Sequence, residues 1–196
     1  MNVALVDSGG ANIGSVRYAL QRLGVEATLT SDAARIRAAD RVILPGVGAA
    51  APAMARLREN GLVDVLRSLT QPVLGVCLGM QLLCTHSEEG DVDGLGMIDA
   101  RVQRFSDREG LRVPHMGWNR VEAVASNRMF TADTAHGWAY FVHSYAVPVG
   151  AATLATCGYG DAFSAAIGSG NFFGVQFHPE RSAAFGAATL RNFLAS

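Results

Sequence analysis

The feature that most constrains the fold is the alternation of short apolar runs with helical stripes through residues 2–86. The stripes repeat every three to four residues, as in IGSVRYALQRLG, where the apolar positions end at a glycine. Strands that alternate with helices are typical of βαβ units, in which helices cover a parallel sheet. The pattern predicts strands over 2–6, 25–30, 41–45 and 72–76, and helices over 13–24, 51–61, 62–69 and 78–86.

The second part of the chain has a different pattern. From about residue 97 to residue 177 the runs are strand-like, and turns such as GSGN separate them, which predicts antiparallel hairpins. The stretch AAFGAATLRNFL predicts a closing helix over 183–194. The sequence therefore predicts an α/β fold, a mostly parallel central sheet flanked by helices with an antiparallel β-rich part in the second half. A length of 196 residues, 49% of them hydrophobic, suits a single domain over 1–196.

Composition excludes several classes of function. All 16 basic residues are arginine, so no lysine can form a Schiff base, bind phosphate in a Walker motif or act as a general base. The net charge of −1 lacks the basic excess of a nucleic-acid-binding protein, and no apolar run approaches the ~20 residues that span a bilayer. The first ten residues lack the basic region of a signal peptide, and 3 cysteines argue against a disulfide framework. We therefore expect a cytoplasmic protein that binds neither nucleic acid nor membranes.

One cysteine stands at a predicted strand-to-helix turn. In PVLGVCLGMQLL, glycines lie two residues before and two after Cys77, as in the nucleophile elbow, where flanking glycines relieve crowding around a strained nucleophile. A helix N-terminus favours a thiolate at this position, and the N–H of Leu78 would point at a developing oxyanion. The alternative is a buried structural cysteine, because free cysteines are among the most buried residues. This motif by itself leaves both interpretations open.

A second glycine-rich turn follows the strand predicted over 41–45. In VILPGVGAA, Gly46 and Gly48 flank Val47 at the end of the strand, where α/β sheets bind ligands. Glycines there let the backbone approach a substrate and present a second N–H. The turn lacks the length and the lysine of a phosphate-binding loop. Taken alone, it also fits an ordinary connection between a strand and a helix.

A histidine and a glutamate follow the last apolar strand. In GVQFHPERS, only Pro179 separates His178 from Glu180. A cysteine nucleophile needs a base, and the base needs a carboxylate that orients it, so the pair fits both roles. A charged pair on a surface loop is the alternative interpretation. Residues with milder predictions are the cysteines at 84 and 157, expected in the core, and the histidines at 115 and 143, expected to be structural or to support the site.

Together these motifs resemble the triad, or class I, glutamine amidotransferases over nearly the whole chain. PGVG, GVCLGMQLL and GVQFHPERS stand in that family's order and at its usual separations. The resemblance implies a flavodoxin-like fold and a glutaminase in which Cys77 is the nucleophile, His178 the general base and acid, and Glu180 the residue that orients the imidazole. It also implies an oxyanion hole made by Leu78 and the turn at 46–48. The implied substrate-binding residues are Gly46, Val47, Gly48, Leu78, Gln81, Glu89, His143, Ser144 and Tyr145.

Two further strings narrow the resemblance. VPHMGWN and YFVHSY are similar to the branch of the family that serves histidine biosynthesis. That branch implies a heterodimer with a separate cyclase subunit, a (β/α)₈ barrel that receives the ammonia, and no cofactor or metal in the glutaminase. Met116, Trp118 and Arg181 are the candidates for the face that contacts this partner. The opening DSGGANIGSV is a glycine-loosened form of the family's first turn, a difference that we expect to affect packing only.

Three other functions are consistent with parts of the sequence. A glutaminase of another pathway, such as anthranilate, guanylate or carbamoyl phosphate synthesis, is disfavoured by the string PHMGWN. A stand-alone cysteine hydrolase of γ-glutamyl peptides would prefer such peptides over free glutamine. A non-catalytic subunit with the same fold would lack part of the triad, whereas Cys77, His178 and Glu180 are all present.

Overall fold

The first half of the chain alternates between strands and helices, as the sequence predicts. The computed structural model describes residues 1–9 and 13–196, so part of the opening string DSGGANIGSV lies outside the described residues. The elements of this half are β1 (Val3–Val6), α1 (Ile13–Arg22), β2 (Ala27–Thr30), α2 (Ala33–Ala38), β3 (Arg41–Gly46), α3 (Ala50–Glu59), α4 (Leu62–Arg67), β4 (Val73–Cys77) and α5 (Leu78–Leu83).

The second half is mostly β-structure and ends in a helix. Two short 3₁₀ turns, Ala132–Thr134 and Pro179–Arg181, interrupt it. Its strands and closing helix are β5 (Cys84–Ser87), β6 (Val92–Asp93), β7 (Ile98–Arg104), β8 (His115–Ala123), β9 (His136–His143), β10 (Tyr145–Ala146), β11 (Thr153–Tyr159), β12 (Asp161–Ser169), β13 (Phe172–Val175) and α6 (Ala183–Ala195).

The described residues build one large mixed sheet in the order β2-β1-β3-β4-β13-β12-β11-β8-β9. Neighbouring strands are parallel from β2 to β13 and antiparallel from β13 to β9. The predicted α/β class, with a parallel centre and an antiparallel second half, is therefore confirmed. The antiparallel strands extend the same sheet, because β13 returns to pair with β4. A smaller sheet has the order β10-β7-β5-β6.

The predicted helix over 78–86 is wrong at its C-terminal end. The helix α5 ends at Leu83, and Cys84 begins β5, which pairs with β6 and β7. A Cβ on Gly94 would overlap the carbonyl oxygen of Cys84, so the backbones of this small sheet pack at a distance that only glycine permits. Backbone pairing with β7 thus overrides the local helical pattern. Cys84 and Cys157 are both buried, as predicted.

Each face of the parallel strands buries its own core, because alternate residues of a strand point to opposite faces. On one face Leu5 packs in a cluster with Leu20 of α1 and Phe193 of α6. On the other face Leu44 packs in a cluster with Leu57 of α3. Each buried side chain of this size stabilises the fold by about 1.5–3 kcal/mol. The two cores fix the relative positions of β3, β4 and β13.

The carboxyl ends of β3, β4 and β13 lie side by side at one edge of the sheet. Gly46 pairs with Cys77, and Val175 pairs with Val76. Loops at this edge are where α/β sheets bind ligands, and all three motifs identified in the sequence reach it. Among the described residues, no helix combines the length and the apolar character that a membrane crossing requires.

Candidate active site

Cys77 ends β4 in a backbone conformation that side chains rarely adopt. Its φ is 53° and its ψ is −111°, and α5 begins at the next residue. Glycines make this turn possible, since a Cβ on Gly75 would lie 2.5 Å from the carbonyl oxygen of Gly79, and one on Gly79 would overlap the carbonyl oxygen of Leu44. Strain of this kind costs about 1–3 kcal/mol and clusters at active sites. The turn has the strained form that the G-x-C-x-G pattern predicts.

His178 and Glu180 lie beside Cys77, just beyond the end of the neighbouring strand β13. The Nδ1 atom of His178 is 2.9 Å from Oε1 of Glu180. The same imidazole lines one cleft with Cys77, whose sulfur raises the pKa of His178. The Ser182 hydroxyl holds this segment, because it donates to the His178 carbonyl at 2.6 Å and accepts from the N–H of Tyr140 at 3.0 Å. The side chain of Glu180 is only 1% exposed, so its carboxylate faces the imidazole instead of water.

The protonated form of His178 is favoured in this site. Burial by itself lowers the pKa of His178, but hydrogen bonds to Cys77 and Glu180, together with their negative charges, outweigh burial and raise the pKa to about 10. Because Nδ1 faces Glu180, Nε2 is the ring nitrogen left for Cys77. The arrangement can hold a proton next to the sulfur and return it to a leaving group.

A chain of buried amides connects the sulfur of Cys77 to the side of the cleft. Nε2 of Gln176 donates to the Sγ atom of Cys77 at 3.7 Å, and Oε1 of Gln176 accepts from Nε2 of Gln81 at 2.9 Å. The same Nε2 of Gln81 donates to the carbonyl of Tyr145 at 3.0 Å. Sequence reasoning missed Gln176. The available signal was a polar residue inside the apolar run VQF, which needs a buried hydrogen-bond partner.

A cleft of about 310 Å³ opens beside Cys77 and His178, which is large enough for a small polar ligand. Pro114 and Val142 line it without having been predicted from the sequence. Gly46 and Glu180 line a smaller cavity that also touches His178. The predicted substrate-binding residues that line the cleft are Val47, Gly48, Leu78, Gln81, Glu89, His143, Ser144 and Tyr145.

The turn at 46–48 packs closely against the start of α5. A Cβ on Gly46 would lie 2.6 Å from the backbone nitrogen of Gly79, so only glycine fits there. Gly48 has a φ of +98°, in the region that favours glycine. Both glycines in PGVG are therefore required by the backbone, and they bring the turn to the same cleft as Cys77.

His143, which lines the cleft, is hydrogen-bonded to a second buried histidine, His115. His143 donates from Nδ1 to the carbonyl of Tyr145 at 2.8 Å, so its Nε2 accepts from Nδ1 of His115 at 3.0 Å. Nε2 of His115 in turn faces the Asn119 amide nitrogen at 3.3 Å. Burial lowers the pKa of His143 to about 3 and that of His115 to about 4. Both imidazoles are therefore neutral and hold the segment that carries Tyr145.

An apolar surface lies next to the site, on the outer face of β8 and β9. Met116 is 63% exposed, Trp118 51% and Trp138 60%, although side chains of this size are usually covered. Trp118 pairs with Tyr140 across the two strands, and the guanidinium of Arg181 lies 4.3 Å from the centre of the Tyr140 ring. Two of the three predicted partner-contact residues, Met116 and Trp118, lie on this face, and the third, Arg181, covers its Tyr140 from the segment that carries His178 and Glu180.

Comparisons with known proteins identify the family of this chain. The model of a family described as glutamine amidotransferase class-I matches residues 4–196. The imidazole glycerol phosphate synthase subunit HisH of Xanthomonas campestris pv. campestris is 55% identical over 193 residues, which are 98% of this chain and 96% of the relative. The subunit of the same name from Idiomarina loihiensis is 55% identical over 194 residues, 99% of this chain and 97% of the relative.

Solved structures agree on the fold. A structure described as glutamine amidotransferase superimposes with a TM-score of 0.77 at 21% identity, over 98% of this chain and 97% of that one. PurLQS from Thermotoga maritima contains a chain that superimposes with a TM-score of 0.72 at 18% identity, over 99% of this chain and 97% of that one. In the described residues, no group of three or more His, Cys, Asp or Glu side chains is arranged to hold a metal.

The family model matches residues 4–196, and the two HisH subunits are 55% identical over nearly the whole chain. This chain therefore belongs to the class I glutamine amidotransferase family, and within that family to the HisH group.

Proposed function

We propose that this chain is the glutaminase subunit of an imidazole glycerol phosphate synthase and hydrolyses glutamine to glutamate and ammonia. The observation that carries the proposal is the placement of Cys77, held at a strained turn, in one cleft of suitable size with His178, which is paired with Glu180. The relatives at 55% identity carry the name of that subunit. We propose that the whole chain acts as one domain without a cofactor.

In the first half-reaction the Sγ atom of Cys77 attacks the carboxamide carbon of glutamine, and the carbonyl electrons move to the oxygen. His178 holds the thiol proton and delivers it to the amide nitrogen, so that the C–N bond breaks and ammonia leaves. The glutamyl group then remains on the sulfur as a thioester. The raised pKa of His178 supports this role, because imidazolium is the form that must protonate the leaving nitrogen.

In the second half-reaction His178 takes a proton from water, and the resulting hydroxide attacks the thioester carbon. The C–S bond breaks, glutamate leaves and the proton returns to the sulfur. Glu180 keeps the imidazole in one orientation through both steps, because its carboxylate is buried 2.9 Å from Nδ1. Both tetrahedral intermediates carry an oxyanion, and we assign its donors to the N–H of Leu78 and to an N–H of the turn at 46–48.

The amino-acid end of glutamine is proposed to bind in the part of the cleft that Gln81, Glu89, Ser144 and Tyr145 line. Gln81 has used both N–H groups on Tyr145 and Gln176, so its carbonyl oxygen is the atom left to accept from the substrate ammonium. Glu89 lines the same cleft and adds a carboxylate that can bind this ammonium. Ser144 and Tyr145 present backbone and hydroxyl groups that can bind the substrate carboxylate.

Ammonia is proposed to pass to a separate cyclase subunit in a cytoplasmic heterodimer. There it would react with the phosphoribulosyl-formimino nucleotide intermediate and give imidazole glycerol phosphate and aminoimidazole carboxamide ribotide. The exposed Met116 and Trp118 support a docking face beside the site, and Arg181 stacked on Tyr140 adds a positive charge to it. Interface energy concentrates in buried aromatic and arginine side chains, so Trp118→Ala should weaken the complex by roughly tenfold or more.

We also propose that the isolated chain is a weak glutaminase and that the cyclase with its ligand activates it. The turn at 46–48 contains two glycines, and its peptide groups can hold the oxyanion hole incomplete until docking. Glutamine hydrolysis by the chain alone should therefore rise strongly when the cyclase and its ligand are added. Full turnover without the partner would contradict this part of the proposal.

The deciding experiment uses the Cys77→Ala variant in complex with the cyclase. Glutamine-dependent product formation should be lost, while cyclisation supplied with ammonium salts should continue, because the variant removes only the nucleophile. Glutamine-dependent turnover in this variant would exclude Cys77 from the mechanism. Comparing free glutamine with γ-glutamyl peptides as substrates of the wild-type complex separates this function from that of a γ-glutamyl hydrolase.

A further inference from the structure

Glu89 lies where the substrate cleft meets the start of α3. Its Oε2 atom accepts a hydrogen bond from the N–H of Ala50, the first residue of that helix, at 3.0 Å. The helix lacks other means of capping, because Ala49 has no capping side chain and the first turn contains no acidic residue. Glu89 thus caps α3 from a different part of the chain and also lines the cleft.

The segment around Glu89 is pressed against α3 at close range. Gly90 has a φ of +78°, and a Cβ on it would lie 2.8 Å from the Cβ of Ala51. The Glu89 N–H donates to the hydroxyl of Ser87 at 3.2 Å, which sets the direction of the turn. Glu89 and Gly90 lie in the turn of the hairpin that β5 and β6 form over residues 84–93. Further along this hairpin, the Arg58 guanidinium of α3 donates to the carbonyl of Asp93 at 3.1 Å. The hairpin therefore holds α3 at both ends of the helix.

The helix α3 follows the turn at 46–48 almost directly, with Ala49 as the one residue between them. The hydrogen bond at Ala50 therefore fixes the point at which the turn ends. The C-terminal end of the turn cannot move without breaking that bond or moving the helix, whose Leu57 is fully buried. A carboxylate in the substrate cleft is thus linked through a single hydrogen bond to the turn assigned to the oxyanion hole.

We infer that Glu89 has two roles: it contacts the substrate ammonium, and it positions the turn at 46–48. Through Glu89, binding of the ammonium is coupled to the position of that turn. The inference rests on the proposed function. A substrate ammonium beside Glu89 keeps the carboxylate ionised and strengthens its acceptance of the Ala50 N–H. Partial burial raises the pKa of Glu89, although the hydrogen bond from Ala50 opposes it, so the carboxylate gains from a cationic ligand. Substrate binding then holds the turn when the oxyanion forms.

Two substitutions separate the two roles of Glu89. Glu89→Gln removes the charge but keeps an oxygen that can accept from the Ala50 N–H, whereas Glu89→Ala removes both. In complex with the cyclase, both variants should have a KM for glutamine that is raised by roughly tenfold or more, because a charged hydrogen bond is lost. Only Glu89→Ala should also lower kcat, by about tenfold to a hundredfold, since the turn loses its fixed end. Equal kcat values for the two variants would overturn the inference.

A matched control is Glu88→Ala, on the neighbouring residue. The carboxylate of Glu88 accepts from the backbone N–H of Arg104 at 2.8 Å, on β7, so kcat and KM should stay near the wild-type values. If Glu88→Ala lowers kcat as much as Glu89→Ala does, the effect belongs to the hairpin as a whole and the inference fails. Circular dichroism of each variant checks that the chain folds.

A second readout does not depend on turnover. In the isolated chain, Glu89→Ala should move the amide NMR signals of Ala50 and Gly48 and speed hydrogen exchange at Ala50, and Glu89→Gln should change them less. Unchanged signals in Glu89→Ala would refute the link between Glu89 and the turn. If the wild-type complex instead fails to hydrolyse glutamine while the signals of Glu89→Ala shift, the proposed function is wrong and the structural link stands.

Discussion

Two regions of this protein bury histidines, and their surroundings shift the histidine pKa values in opposite directions. His178, beside Glu180 and Cys77, has its pKa raised to about 10, whereas His143 has its pKa lowered to about 3 and its neighbour His115 to about 4. Burial lowers the pKa of every one of the three. The difference is the partner: His178 faces a carboxylate and a sulfur, and His143 faces a carbonyl and a second imidazole.

The comparison shows why only one of these regions can carry a proton during a reaction. A buried imidazole next to a buried carboxylate is stable in its charged form, so it can take and return a proton. A buried imidazole that donates to a carbonyl and accepts from another ring is stable only when neutral. The neutral pair serves as a rigid support for the segment that carries Tyr145, which Gln81 also contacts.

The largest effect is expected from removing the charge that distinguishes the two regions. Glu180→Gln keeps the size of the side chain but loses the carboxylate, so the pKa of His178 should fall and its orientation should loosen. We expect kcat for glutamine hydrolysis by the cyclase complex to drop by about 10³-fold, with a smaller change in KM. Steady-state kinetics check this, and ammonium-dependent cyclisation is the internal control. A kcat within a few-fold of wild type would show that Glu180 does not orient the base.

The two regions should also give opposite pH dependences of stability. His178 binds its proton more tightly in the folded state, so its contribution is complete below pH 6.5 and is lost as the pH rises towards 10. His143 and His115 bind protons less tightly when folded, so their contribution is present above pH 6.5 and is lost as the pH falls towards 3 for His143 and towards 4 for His115. Each group changes the free energy of unfolding by at most about 1.4 kcal/mol per pH unit.

Urea unfolding at a series of pH values measures both slopes. Glu180→Gln should flatten the alkaline slope and leave the acid slope in place. A wild-type protein with a flat profile above pH 7 would mean that His178 is neutral in the resting site, contrary to the comparison.

A smaller loss is expected when the neutral pair is broken. His143→Leu leaves the Nδ1 proton of His115 without its partner in a buried position, which should cost about 1–3 kcal/mol of unfolding free energy, whereas the Tyr145 carbonyl keeps its hydrogen bond from Gln81. The control is His136→Ala on the same strand, where the side chain is exposed, and the change should stay within about 0.5 kcal/mol. Equal losses in both variants would argue against a role for the buried pair.

The smallest effect is expected for the part of the rise in the His178 pKa that Cys77 causes. In Cys77→Ala, His178 loses one hydrogen bond and one charge but keeps Glu180, so its pKa should fall yet stay above 6.5. An NMR titration of the imidazole signals in the isolated chain measures this value. A pKa below 6.5 in the variant would mean that the sulfur, and not the carboxylate, separates His178 from His143.

Much of the fold followed from sequence patterns because these patterns are local. Strand runs and helical stripes repeat with periods of about 2 and 3.6 residues, and the glycines around Cys77 indicate a close turn within five residues. The site residues at 77, 178 and 180 could be grouped because each follows an apolar strand, and the ends of parallel strands share one edge. Gln176 was not predicted because its hydrogen-bond partners, Cys77 and Gln81, lie far from it in the sequence and cannot be identified from the local pattern.

Pairing between distant strands set the features that the sequence pattern did not show. The end of α5 at Leu83 depends on β7, about fifteen residues later, and the return of β13 to β4 crosses nearly a hundred residues. Local propensity cannot encode such contacts, because the free energy that decides them comes from backbone pairing and burial in the assembled core. The sequence alone determined which side chains could act as nucleophile, base and orienting carboxylate. Only the tertiary structure decided that His143 and His115 are buried against each other and a backbone carbonyl, and that contact separates imidazoles that only support the site from the one that can carry a proton.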